Sequence, residues 1–198
     1  MSDFSSKSVV GLTGGIATGK STALQKFMEL GWSVLSADSI VEKILATDVN
    51  IQKKLTGRWG EDVKEICGRI DKGAVGRIVF KNNSERQWLE SLLHPMVRSK
   101  WISFVHSRPD NKCMIELPLL FENNLQKYFT CTISMFAPHQ TSLDRLFARG
   151  SDPDDAQCRI SAQMPVLQKA GLADFVLFGG GENDFLDQQI KQLDPCLL

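Results

Sequence analysis

The stretch Val9-Val-Gly-Leu-Thr-Gly-Gly-Ile-Ala-Thr-Gly-Lys-Ser-Thr22 decides the fold. Val9 to Leu12 is a short β-branched, apolar run, and Lys20 to Leu30 carries Ala23, Leu24, Phe27 and Met28 at helical spacing. Strand, glycine turn and helix follow in that order. Between strand and helix, Gly14 to Ser21 fits G-x-x-x-x-G-K-[ST], the Walker A phosphate loop, in the context that gives the pattern meaning. Gly14, Gly15, Ile16, Ala17, Thr18 and Gly19 offer successive backbone N–H groups to a phosphate, the small residues letting the backbone curl. Lys20 reaches the β- and γ-phosphates, the Ser21 hydroxyl suits Mg²⁺, and Thr22 suits the α-phosphate. The alternative is a plain glycine turn, but a lysine at a helix N-terminus opposes the helix dipole, so an anion is needed to justify it.

Working outward, Trp32 to Leu35 reads as a second strand, and Asp38-Ser39 opens a helical stretch. Residues 40 to 106 lack strand alternation and carry helical spacing, for example Trp88, Leu89, Leu92 and Leu93, then Val97, Trp101, Phe104 and Val105 after Pro95. Strands are predicted at Cys113 to Leu117, Phe129 to Phe136 and Asp174 to Phe178. Helices are predicted over Ser142 to Arg149, Asp154 to Lys169 and Asn183 to Leu193. Strands alternating with helices imply an α/β fold, a parallel sheet covered on both faces, with the 40 to 106 block as a helical insertion. The four tryptophans sit in apolar periodicity and read as core packing rather than as base-stacking residues.

Length and composition agree with this. The 198 residues amount to about one domain, 42% of them hydrophobic and 23% charged, so the chain can bury a core. Formal net charge is zero, which leaves no bulk basic field for nucleic acid or anionic lipid. Five scattered cysteines contain no C-x-x-C pair and read as reduced thiols. Met1 to Ser8 is polar and no run approaches a membrane span, so a cytoplasmic protein without a membrane or obligate protein partner is expected.

A phosphate loop alone does not separate kinase, switch and motor. Asn111-Lys112-Cys113-Met114 begins like a guanine-reading N-K-x-D element but has Met where the aspartate belongs. Ile115-Glu116-Leu117-Pro118 carries a single carboxylate where motor ATPases usually carry an acidic pair. A small-molecule kinase fits best, with a nucleoside monophosphate or metabolite kinase and an ATP-binding regulator as alternatives.

Several further motifs stand in register: Ala37-Asp38, Leu93-His94-Pro95, Pro118-Leu-Leu-Phe-Glu122, Arg145 with Arg149, and Arg159-Ile-Ser-Ala-Gln-Met164. With the phosphate loop, they resemble the dephospho-CoA kinase family from near residue 8 to about residue 178. The resemblance implies ATP-dependent phosphorylation of the ribose 3′-hydroxyl of dephospho-CoA, with Mg²⁺. It also implies a P-loop nucleotide-kinase core at about 8–39 and 107–198, an acceptor-binding insertion at about 40–106 and a lid at about 145–170.

Asp38, beyond the second predicted strand, is placed to face the phosphate loop, and the resemblance makes it the group that orients the 3′-hydroxyl. The alternative is an ordinary helix N-cap, which an Asp-Ser pair before an apolar run fits. His94 and Glu122 become acceptor-site candidates, against a packing role for the histidine and a solvated loop for the glutamate. Arg145 and Arg149 share a helical face before the Gly150-Ser-Asp-Pro153 loop and suit a lid closing on the phosphates, against a surface ladder with Asp144. Two departures stand out. Ser36 replaces a second acidic residue frequent in the family, and Phe178-Gly-Gly-Gly181 replaces its asparagine-containing turn at the adenine edge.

Overall fold

The computed structural model describes residues 7–109 and 112–198. The Met1 to Ser6 part of the polar N-terminus and Asn111 lie outside the described residues. Two compact units emerge, one from the chain up to Ser36 together with Trp101–Leu198, the other from Ala37–Lys100.

The first unit is built on five parallel strands, β1 (Ser8–Gly14), β2 (Ser33–Ser36), β3 (Lys112–Glu116), β4 (Cys131–Phe136) and β5 (Phe175–Phe178), in the order β2-β3-β1-β4-β5. The central strand β1 therefore carries the phosphate loop at its carboxyl end, where parallel sheets bind ligands. Lys112 to Met114 belong to β3, and the Lys112 ammonium donates to the Leu30 carbonyl at 3.0 Å. They form no base-reading loop.

Alternation along β1 assigns the two faces. Val10 and Leu12 point into one core with Met114, Ile133, Met135 and Leu177. That core is closed by α1 (Lys20–Glu29), through Ala23, Leu24 and Phe27, and by α9 (Asn183–Leu193), through Leu186 and Ile190. Trp32 completes it, edge-on to Phe27 and with its indole N–H donated to Asp194 at 2.6 Å. Gly11 faces the other way, where a Cβ would come within 2.6 Å of Leu120 and 3.0 Å of Phe129. Trp101 stacks on Phe129 at 5.5 Å, and α8 (Val166–Leu172) packs against β1 and β4.

Between β4 and α8 lie α6 (His139–Ala148) and α7 (Pro153–Ser161). Asp152 caps α7 by accepting from the Asp155 N–H at 2.9 Å, with Pro153 at the first helical position. The helix expected over 154–169 is thus two helices. The cause is Pro165, which lacks an N–H and biases Met164 away from helical backbone.

The second unit holds α2 (Ala37–Thr47), α3 (Val49–Trp59), α4 (Lys72–Lys81) and the first part of α5 (Asn83–Ser107). Asp48 caps α3, accepting from Asn50 and Ile51 N–H groups, and Asp71 caps α4. Glu85 takes both Arg58 and the Trp59 indole N–H, while Arg58 lies over Trp88 at 4.5 Å. The break expected at His94-Pro95 is absent, because α5 runs through it. Pro95 is on the exposed side, so the carbonyl it leaves unbonded can be met by water. Among the described residues no helix is long and apolar enough to cross a membrane.

Candidate active site

β1 ends at Gly14, where φ is +138° and a Cβ would lie 2.4 Å from the Met135 carbonyl oxygen. Only glycine fits. Ala17 adopts φ +58°, and Gly19 stands at the N-cap of α1 without any side-chain cap. The first amides of α1 are therefore not taken by a side chain and suit an anion. Thr18 Oγ1 donates to the Gly15 carbonyl at 2.8 Å, closing the loop on itself. Lys20 is only 9% exposed, and its ammonium rests on the carbonyls of Gly15 at 2.7 Å and Gly14 at 3.3 Å. A charge held this way on loop carbonyls is ready to turn to a stronger anionic partner. Ser21 and Thr22 are exposed in the first turn of α1.

The two arginines are not equivalent. Arg145 donates from Nη1 to the Ala17 carbonyl at 3.0 Å and from Nη2 to the Gly179 carbonyl at 2.7 Å, so it bridges the phosphate loop and the turn after β5. Asp144 instead accepts from Gln140 at 2.8 Å, and the surface ladder with Asp144 does not form. Arg149, at the C-cap of α6, is exposed. Arg159 pairs with Asp155 at 2.8 Å within α7.

The glycine turn that departs from the family pattern is packed tightly. Gly179 donates its N–H to the Phe136 carbonyl at 2.7 Å, and a Cβ there would sit 2.0 Å from the Thr18 carbonyl oxygen. Backbone lies against backbone at this point, which is why no side chain stands there.

Glu122 Oε1 accepts from the Lys169 ammonium at 2.8 Å and from the Met164 N–H at 2.9 Å. It is not a solvated loop residue. Lys169 is fully buried and also donates to the Pro118 carbonyl at 2.5 Å. Burial pushes this ammonium below its ordinary pKa, against the opposing pull of Glu122. The sequence places Lys169 on the helix after Arg159 without a defined role and reads Glu116 only as a lone carboxylate; Glu116 is buried at the end of β3 in register with Leu12 and Ser36. The signal for Lys169 was Pro165, which separates it from α7 and puts it on a helix against the sheet.

Asp38 and His94 belong to the second unit. Asp38 is exposed in the first turn of α2, two residues past the end of β2, and is not the helix N-cap. His94 is half-buried within α5.

The described residues include no cluster of three or more His, Cys, Asp or Glu able to hold a metal by themselves. Ser21 lies in the first turn of the uncapped α1, and Glu116 ends β3, the strand beside β1; hydroxyl and carboxylate oxygens are ligand types that Mg²⁺ accepts together with nucleotide phosphates.

A phosphate loop on the central strand of a 2-3-1-4-5 parallel sheet, with an arginine-bearing helix pair inserted after β4, defines a P-loop small-molecule kinase. The chain belongs to the dephospho-CoA kinase family, which it matches over residues 8–184. It is 37% identical to a dephospho-CoA kinase of a Synechococcus strain, covering 93% of this chain and 90% of that one. It is 34% identical to one from Legionella pneumophila strain Paris, over 93% and 92% of the two chains. Among solved structures, a Thermus thermophilus protein superposes with a TM-score of 0.79 at 28% identity, over 97% of this chain and 98% of that one. The dephospho-CoA kinase of Campylobacter jejuni shares the fold with a TM-score of 0.64 at 24% identity, over 96% and 97%.

Proposed function

We infer that this chain transfers the γ-phosphoryl group of ATP to the ribose 3′-hydroxyl of dephospho-CoA, giving coenzyme A and ADP, the last step of coenzyme A synthesis. The observation that carries this reading is the family match across residues 8–184, which includes a fully formed phosphate loop with its lysine drawn in.

Catalysis is then a matter of positioning and charge. The amides of Gly15 to Lys20 receive the β-phosphate, and Lys20 leaves the Gly15 carbonyl to meet the β- and γ-phosphates. The Ser21 hydroxyl and Glu116 are the groups that would hold Mg²⁺, which when bound neutralises charge on the β- and γ-oxygens. Arg145, anchored on Ala17 and Gly179, shapes the side of the site where the nucleoside lies. Arg149, exposed on the α6–α7 lid, is the cation that reaches the transferring group on closure. Asp38 orients the acceptor hydroxyl and takes its proton. Its position just past the carboxyl end of β2 supports this. The Ala37–Lys100 unit, with His94, receives the acceptor. Glu122 contributes beside the acceptor through Oε2, its one buried oxygen without a hydrogen-bond partner. Five cysteines, none of them in a disulfide, support a reducing, cytosolic setting.

The test is ATP consumption with a panel of acceptors comprising dephospho-CoA, nucleoside monophosphates, shikimate and no acceptor. Consumption that depends on dephospho-CoA, and exceeds that with the others by at least about 10²-fold in kcat/KM, is expected. Equal or better turnover of another acceptor overturns the assignment.

A further inference from the structure

A buried polar chain crosses the α8 face of the sheet. Pro118 O accepts from Thr13 Oγ1 at 3.3 Å and from Lys169 Nζ at 2.5 Å. Lys169 also holds Glu122 Oε1, and the same oxygen accepts the Met164 N–H. Thr13 and Lys169 are both fully buried. Thr13 immediately precedes the phosphate loop and is in register with Ser134 of β4, likewise fully buried.

A fully buried ammonium is costly unless paired and saturated with hydrogen bonds. A leucine at this helix position would fill the same apolar face without that cost. What the lysine does that an apolar residue cannot is clamp the Pro118 carbonyl to Glu122 Oε1, the two acceptors through which three separate segments meet. One is the end of β1 at Thr13, the second is Pro118 to Glu122 after β3, and the third is Met164, where the chain returns from α7. That third point is the C-terminal root of the α6–α7 pair. Its other root, at Phe136, is tied by the Gly179 N–H.

We propose that Lys169 is a positioning residue for phosphoryl transfer: by holding Glu122 and the Pro118 carbonyl together, it fixes the C-terminal root of the α6–α7 lid relative to the strand that carries the phosphate loop. The inference rests on the lid reading given above. Lys169 acts through Glu122 and Pro118 and touches neither substrate. Its loss lets the lid close out of register, so Arg149 at the end of α6 meets the phosphoryl group in the wrong place.

The experiment uses the full chain, Lys169→Met, and the double variant Lys169→Met/Glu122→Gln, which leaves no stranded buried carboxylate. Steady-state kinetics and melting temperature are read beside amide hydrogen exchange over 139–165, with and without a non-hydrolysable ATP analogue plus dephospho-CoA. Wild type is expected to gain protection across 139–161 on binding. Both variants are expected to lose that gain, and Lys169→Met on the order of 10²-fold in kcat, with the KM for ATP changed less than about threefold. The double variant should recover most of the melting temperature without recovering the ligand-induced protection; because Glu122 also stands beside the acceptor, kcat is read in Lys169→Met alone. A kcat for Lys169→Met within a few-fold of wild type, or ligand-induced protection that survives in both variants, overturns the proposal and leaves the lid reading standing. Absence of the protection in wild type overturns the lid reading itself. If both variants fail to fold, the pair serves the fold alone and the positioning role is refuted.

Discussion

Replacing Gly179 by alanine is a sharp test of how the site is assembled, because the expected damage is steric and directional. A Cβ at this residue would stand 2.0 Å from the Thr18 carbonyl oxygen and 2.8 Å from the Met135 methyl. Met135 is the flexible end of a side chain and can move. The Thr18 carbonyl is backbone of the phosphate loop, so loop and turn must separate by about 1 Å before the contact reaches the shortest distance real Cβ atoms tolerate. Separation in that direction also pulls the Gly179 carbonyl from Arg145 and strains the Gly179 N–H bond to Phe136, each now 2.7 Å. Overpacking of this kind costs about 1–3 kcal/mol. For a chain of this size that lowers the melting temperature by about 2–12 °C. A displaced phosphate loop should also weaken ATP binding about tenfold or more, since about 1.4 kcal/mol is one decade. Gly181→Ala is the control, because a Cβ there finds its nearest neighbour at 3.4 Å, an ordinary contact. Calorimetric titration with a non-hydrolysable ATP analogue, beside thermal melting, reads both quantities. If Gly179→Ala binds ATP within twofold of wild type, or Gly181→Ala is damaged equally, the close packing of turn on loop does not organise the nucleotide site.

Asp38→Asn should lower kcat by about 10²-fold or more while leaving ATP affinity nearly unchanged, and equal losses in both would remove Asp38 from its orienting role. Arg149→Ala should lower kcat by about 10³-fold with ATP binding retained, so turnover within a few-fold of wild type would show that the exposed arginine does not reach the phosphoryl group. Burial pushes the Cys131 thiol up to about 11 from 9.0, so its contribution to stability is complete below pH 9 and is lost as pH rises through 11. Exposed Cys67, Cys158 and Cys196 should therefore be alkylated by iodoacetamide at pH 8 in the native protein while Cys131 and buried Cys113 are spared, and mass spectrometry of the labelled peptides decides it.

The core of the fold was legible because its signals are local. Val9 to Leu12, the glycines and the spacing of Ala23, Leu24 and Phe27 each specify their own element, and the parallel sheet follows from strands alternating with helices. Element ends and breaks were less legible where two local rules compete. At Pro95 a proline on the exposed side of a helix is tolerated, whereas at Pro165 the same residue type ends the run and frees Lys169 to enter the core. What sequence could not supply was who meets whom across long separations. Arg145 and Asp144 look like partners in a ladder, yet Arg145 turns to Ala17 and Gly179, 128 and 34 residues away. Glu122 reads as a loop carboxylate until Lys169 and Met164 are seen to share its oxygen. Three consecutive glycines look like a lost binding motif until the Thr18 carbonyl is found against the first of them.

The most direct measurement of the central claim is the mass of the acceptor after incubation of the purified protein with Mg-ATP and dephospho-CoA, with Lys20→Ala in parallel. One phosphate gained at the ribose 3′-hydroxyl with wild type, and none with Lys20→Ala, is the result the account requires. Unchanged dephospho-CoA in the presence of a protein that binds ATP, or product formed equally well without Lys20, would contradict it.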